Sequence, residues 1–412
     1  MCNEAEVPCR KESNVKKTAS FLLLAALVAA SAAPVVSGRT FRVPSRYKTI
    51  QRAIDAASPG DTVLVGPGVY RENLVVRKTV SLIGTAGAAK TVIDAGGKDI
   101  ALRCEQVDST ATIRGFTFKN GVGVNGGGLL LSSSFPSVVG NVFTQDSAKY
   151  GGGLCALWSN SVIKNNKFIG NRASFGGAIY TMFIRPEIDS NLVEGNRAEL
   201  GGGLYLAKSS AAQVRGNVIT GNRAQSGGGM FVNGAEPLIQ GNVFKRNKAV
   251  KGARGESEEG GAIASIGSGG LITGNTMLEN SAARGGAVAM SKGAAPNLET
   301  NTFVRNAGVD TLCAGVYFKS VFPSVINNIF YENSPGYAVY CRDDATPVLS
   351  CNLFWKNSTG DYFGVLTDTK ELRADPMFCA PDKGEFTVKE GSPVLSDSCG
   401  AIGAHGKCTK SR

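Results

Sequence analysis

A unit of about 25 residues that recurs between residues 116 and 357, apolar runs at fixed offsets from asparagines, and 53 glycines beside 15 prolines predict an all-β chain. The expected fold is a single-stranded right-handed parallel β-helix, a solenoid with a short N-terminal capping helix. The glycines follow no collagen period and the mean hydropathy is −0.02, which fits an ordered chain crowded with tight turns. The expected organisation is a signal peptide at 1–38 and one β-helix domain at 39–412. That domain divides into an N-terminal cap at about 39–60, coils at about 61–369 and a C-terminal cap at about 370–412.

The first 38 residues read as a secretory leader. Lys16 and Lys17 precede an apolar stretch from Phe21 to Ala30, and small residues follow up to Gly38. Pro34 interrupts that stretch, which is short for a membrane span. Cleavage before Arg39 would release a free protein with no membrane span, so the expected location is secreted or extracytoplasmic, in the periplasm or at the cell surface. Cys2 and Cys9 precede the apolar run, whereas Cys341, Cys351, Cys379, Cys399 and Cys408 cluster near the C-terminus, where an oxidising compartment favours disulfides. With one histidine and no paired Cys-x-x-Cys spacing, a zinc site has little to work with.

The repeat itself explains why the chain must coil. Nine segments open on Asn141, Asn166, Asn191, Asn217, Asn242, Asn275, Asn301, Asn328 and Asn352, and a second asparagine generally stands five residues on. Two residues after the first comes Phe143, Phe168, Val193, Ile219, Phe244, Met277, Phe303, Phe330 or Phe354. Three residues before it comes Val138, Ile163, Ile188, Val214, Ile239, Ile272, Leu298, Val325 or Leu349. Each unit therefore offers short strands too small to close a core alone, and parallel stacking about 4.8 Å apart turns the offsets into columns. Identical amides one above another can bond along the stack. Gly-Gly pairs such as 176–177 permit turns that a Cβ would obstruct, and Pro136, Pro186, Pro237, Pro296, Pro323 and Pro347 suit the entry to a strand. One eight-residue excess, KAVKGARGESEEG before Gly261, marks a single enlarged turn. Open ends need covers: Ile50, Ala53, Ile54 and Ala57 share one face of a short helix for the first, and the cysteine-bearing tail serves the second.

Residues 49–76, TIQRAIDAASPGDTVLVGPGVYRENLVV, resemble the opening of the pectin-lyase-like superfamily, and GVYRE at 68–72 resembles a motif of pectin methylesterases. FIGNRASFGGAI at 168–179, and FKRNKAV with a later GGAI at 260–263, are similar to the FxxN and GGA[IV] repeats of polymorphic outer-membrane proteins. The tail, with DPMFC at 375–379 and CGAIGAHGKC at 399–408, is similar to the ends of secreted right-handed β-helix proteins. The resemblance implies the fold over nearly all of 39–412. It does not extend to the esterases' later aspartate-bearing motifs or to a terminal membrane barrel, so neither activity nor self-insertion is carried over.

Three groups of residues are candidates for function. Arg172, Arg197, Arg223 and Lys248 follow the second asparagine of consecutive units and form a column of cations, either a track for a polyuronate or lipopolysaccharide chain or a solvated turn partly neutralised by Glu194 and Glu199. By alternation Tyr180, Tyr205 and Phe231 point outward on adjacent coils, with Tyr317 and Tyr340 further on, either as a platform for sugar rings or as stiffening of the sheet. Asp343 and Asp344 with Arg342, Asp189 with Arg185, and Asp146 are acids that do not recur in register and read as turn residues, and His405 reads as structural. Calcium enters only if the protein is a lyase, since lyases of the superfamily hold calcium with clustered acids.

The expected function is binding of carbohydrate, an anionic polysaccharide or cell-envelope glycan, by a monomer. The alternative is a lyase or glycoside hydrolase acting on polyuronates. A net charge of +11 without a basic tail or nucleic-acid motif, on an exported chain, argues against nucleic acid as the partner.

Overall fold

In the computed structural model, residues 38–408 are described, apart from Ile184, Ser209, 253–257, Ala294, 366–369 and 396–398. The leader expected at 1–38 lies outside them save for Gly38. Short strands stack in parallel into three long sheets, with 13 strands in the first, 12 in the second and a third whose path of 15 includes strands from a neighbouring turn. One coil shows the plan: Val162–Lys164 lies on the first sheet, Lys167–Ile169 on the second and Ile179–Met182 on the third. The expected offsets are realised as register, Ile163 over Ile188 and Phe143 over Phe168 over Val193. Six prolines stand immediately before first-sheet strands, as at Pro186 before Glu187–Asp189, where no ladder N–H is lost.

The interior is a continuous apolar column from Phe41 to Phe354. Phe118, Phe143 and Phe168 stack at 5.1 and 4.7 Å, and Phe303, Phe330 and Phe354 at 4.6 and 4.9 Å, with rings nearly parallel. Beside this column run two amide ladders. The first, Asn141 to Asn352, joins the first and second sheets; the second, Asn171 to Asn357, follows the second sheet. In the middle of the second ladder Asn196 is fully used: its Nδ2 donates to the Phe168 carbonyl at 3.0 Å and to Asn222 Oδ1 at 2.9 Å, while its own Oδ1 accepts from the Asn171 N–H at 2.9 Å and from Asn171 Nδ2 at 3.0 Å. Being buried, these amides are tolerable because the adjacent asparagines and a backbone carbonyl of the preceding coil supply a partner for every donor and acceptor.

Both ladders end on a carboxyl. Asp146 stands where the first member of the second ladder belongs, its Oδ1 accepting from the Gly121 N–H at 2.8 Å and its N–H donating to Asn171 Oδ1. It is buried, Oδ2 has no partner among the described residues, and burial holds its carboxyl well above the usual range. At the far end of the first ladder Glu371 accepts from the Asn352 N–H at 2.8 Å and from Nδ2 at 3.4 Å, and burial pushes it up to about 7.

The N-terminal helix Ile50–Ala56 buries Ile50, Ala53 and Ile54 in the core, with the Thr49 side chain as N-cap. The Glu72 carboxylate accepts from the Ile50 and Gln51 N–H groups at 2.9 and 3.0 Å, so the acid of the GVYRE segment holds the start of this helix. At the other end the tail folds back over the second sheet. Outward positions that are Thr144, Glu194 and Lys245 in earlier coils become Leu278, Val304, Tyr331 and Trp355, and Phe378, Phe386, Val388, Val394 and Ile402 cover this group. Disulfides Cys351–Cys399 and Cys379–Cys408 tie the tail down, while Cys341 is a buried free thiol. His405 Nε2 meets Thr276 Oγ1 at 2.6 Å beneath this cover, and burial lowers its basicity.

Candidate functional site

Between the second and third sheets a run of bridges stacks Ser147, Arg172, Arg197, Arg223, Lys248 and Ser281 in one column. Two features of the sequence put the cations there. The residue before each is a ladder asparagine whose side chain is drawn inward, so the next side chain turns outward and is exposed. The second glycine of each pair, one coil earlier, leaves room for the backbone that carries the cation. A Cβ on Gly152, Gly177 or Gly202 would stand 2.6 to 2.7 Å from backbone atoms of Arg172, Arg197 and Arg223 respectively. The first glycine of these pairs, as at Gly176 with φ +66°, takes the left-handed conformation that reverses the chain.

A groove of about 720 Å³ follows this column. Arg172, Arg197 and Arg223 line it together with Ser174, Glu199 and Gln225, and Lys251 with Gly252, from the enlarged turn, adjoin the end nearest Gln225. Among the described residues no carboxylate lies within ion-pair distance of Arg172, Arg197, Arg223 or Lys248. Glu194 and Glu199, the carboxylates expected to neutralise the column in part, make no direct ion pair with it. Glu199 Oε1 instead meets the Ser174 hydroxyl of the coil before it at 3.4 Å. Directly stacked like charges repel, and here the repulsion is left for solvent, salt or a ligand to offset.

The aromatic column is built, but not as an exposed platform. Tyr180, Tyr205 and Phe231 stack at 5.3 and 5.2 Å on the outer side of the third sheet, yet only 6%, 6% and 3% of each is exposed. Tyr150, Phe175 and Leu200 pack over them from the turn that carries the cations, so the stack is a second small core and its rings are not offered to a ligand. Tyr317 is likewise buried, and Tyr340 is half-buried against Phe363 at 4.9 Å. Alternation gave the direction of these rings; the covering strand, which lies about five residues earlier in the same coil, was not legible from it. An exposed aromatic step does exist elsewhere. Trp158, 48% exposed, stacks on Phe183 at 5.4 Å at the turn after the third sheet, where both adopt positive φ.

The scattered acids stay scattered. Asp189 pairs with Lys164 on the first sheet, Asp343 lies 3.3 Å from Arg342 and 3.5 Å from Lys319 at a turn, and Asp146 is buried in the ladder. Among the described residues no three His, Cys, Asp or Glu side chains are grouped to hold a metal ion. Sequence reasoning missed Ser174, Gln225 and Lys251 as groove residues. The signal for the first two was their position two residues after a column cation, since i and i+2 of a strand share a face.

The right-handed β-helix region family is matched over residues 91–244 and 226–370, more than half of the sequence, and the chain belongs to that family. No curated protein is matched. Among solved structures, similarity is found to the catalytic domain of Agl-KA, with 12% identity, a TM-score of 0.49 and coverage of 78% of this chain and 64% of that one. XylC in complex with xylose is similar at 11% identity and a TM-score of 0.44, covering 81% of this chain and 84% of XylC. A mannuronic-acid-specific polysaccharide family 6 lyase from human gut microbiota is similar at 10% identity and a TM-score of 0.40, covering 80% and 83%.

Proposed function

We propose that this protein acts outside the cytoplasm as a binder of an anionic polysaccharide, held lengthwise along the groove. One observation carries the reading: Arg172, Arg197, Arg223 and Lys248 are exposed, in register on four successive coils, and free of ion pairs with any described carboxylate. A column with about 4.8 Å between cations is suited to a chain that presents one acid per sugar, because a hexose unit advances by a similar length. Guanidinium groups without an ion-pair partner, carried on a backbone of fixed register, are good partners for carboxylates, which they can grip through two parallel hydrogen bonds. The alternative enzyme reading, lyase or hydrolase on a polyuronate, calls for convergent acids, and Glu199 is the one carboxylate among the described groove residues.

The test is titration of the full mature chain with polygalacturonate at several salt concentrations. The expected result is an affinity that falls steeply with salt, and a loss of about tenfold or more in Arg197→Gln. Salt-independent binding, or unchanged affinity in an Arg172/Arg197/Arg223 triple Gln variant, overturns the proposal. Unsaturated or new reducing ends during the same incubation, with or without calcium, would establish the enzyme reading instead.

A further inference from the structure

Two columns run side by side along the groove, and they differ in chemistry. The cation column is Arg172, Arg197 and Arg223; two residues on, about 7 Å along each strand, Ser174, Glu199 and Gln225 stack in the same register. That second register is fixed by the backbone, since the Glu199 N–H donates to the Ser174 carbonyl at 3.0 Å and the Gln225 N–H to the Glu199 carbonyl at 2.8 Å. Glu199 is the anomaly. It lies two residues from Arg197 in a groove with three arginines, yet it pairs with none of them and leans on the Ser174 hydroxyl.

A carboxylate accepts hydrogen bonds and donates none, so in this position it repels any ligand group that is itself only an acceptor. Phosphate, sulfate and carboxylate groups are of that kind; sugar hydroxyls are donors. A ligand satisfies both columns only if each unit of about one coil's length carries one acid for the arginines and at least one hydroxyl for the neighbouring row. We infer that Glu199 selects for a polyuronate, a chain that alternates single acids with free hydroxyls, and against a polyanion without donors such as polyphosphate. This inference rests on the reading that the arginine column binds a polyanion. Ser174 and Gln225 flank Glu199 above and below and can each donate to or accept from a hydroxyl, so the polar row serves a hydroxylated chain over three coils.

The experiment compares dissociation constants for an oligogalacturonate and for inorganic polyphosphate of equal charge at one ionic strength, using the wild type, Glu199→Gln and Arg197→Gln. Glu199→Gln keeps a partner for Ser174 and removes the charge. It is expected to tighten polyphosphate about fivefold, by removing one like charge at close range, and to weaken the oligogalacturonate about twofold, because there the loss of a charge-assisted hydrogen bond outweighs the same relief of charge. The ratio of the two affinities should then move about tenfold towards polyphosphate, while Arg197→Gln weakens both ligands. A ratio that moves by less than about threefold overturns the role of Glu199; if Arg197→Gln still weakens both ligands, the groove reading survives that failure. A wild type that binds neither ligand overturns the inference and the groove reading together.

Discussion

Asn196 and Arg197 are neighbours in the chain, and each belongs to a column of like residues on successive coils, yet the two columns behave as opposites. The inward one is closed on itself: each amide donates to the next and accepts from the last, so stacking satisfies every buried group. The outward one gains nothing from its own repetition, because a guanidinium over a guanidinium has no acceptor to offer. Stacking of identical side chains therefore stabilises where the side chain both donates and accepts, and stores an unmet demand where it only donates. The first kind of column builds the fold, and the second kind asks for a partner.

This contrast can be broken most severely from the inside. Asn196→Ala should lower stability by about 3 kcal/mol, measured by denaturant unfolding, because the buried Asn171 N–H and Nδ2 lose their shared acceptor. A loss under about 1 kcal/mol would show that the ladder relaxes around the gap.

A smaller effect is expected at the ladder's charged end. The folded state holds Asp146 with its affinity for a proton raised by burial, so the native protein keeps that proton where the unfolded chain has lost it. The associated stability is fully present in acid, below the unfolded value near 4, and declines as the pH rises towards the folded value. Asp146→Asn supplies the amide found in every later coil and removes this decline. Wild type and variant should be alike at low pH, with the variant more stable by about 1 kcal/mol at pH 7 in paired thermal or denaturant melts. A variant destabilised at neutral pH would mean that the carboxylate itself is wanted there.

The smallest change is expected outside. Arg197→Ala removes one member of a like-charged stack and should alter stability by no more than about 0.5 kcal/mol, towards stabilisation at low salt and towards zero at high salt. A marked destabilisation would identify a structural partner for that guanidinium and weaken the claim that its partner is a ligand.

Much of this architecture was legible because a solenoid writes three-dimensional neighbours into the sequence at a fixed interval. The amide ladders, the inward phenylalanines, the strand-entry prolines and the cation column all follow from offsets within one unit. What escaped were contacts between segments of one region of the coil, which repeat at the same interval but depend on how the chain reverses, and contacts made by the tail. Tyr150, Phe175 and Leu200 cover the tyrosine stack through a local chain reversal whose depth the period does not encode. The tail returns across four coils to bring His405 against Thr276, 129 residues away, and Ala404 against Thr302, the threonine one coil on. Its trace in the sequence is the change of outward second-sheet residues to Leu278, Val304, Tyr331 and Trp355, a shift that is visible once the sheet is known. The proximity of Glu199 to Arg197 is legible in the sequence, whereas the rotamer that turns its carboxylate to Ser174 is not.

The glycine pairs have a consequence for how such a groove could be lengthened. Because Gly177 leaves the space that Arg197 occupies, and Gly202 the space for Arg223, each unit carries both its own charge and the vacancy for its successor's. A unit copied whole would thus bring a ready-made berth with it. The length of the cation column is countable, gained or lost one rung at a time, without any redesign of the core.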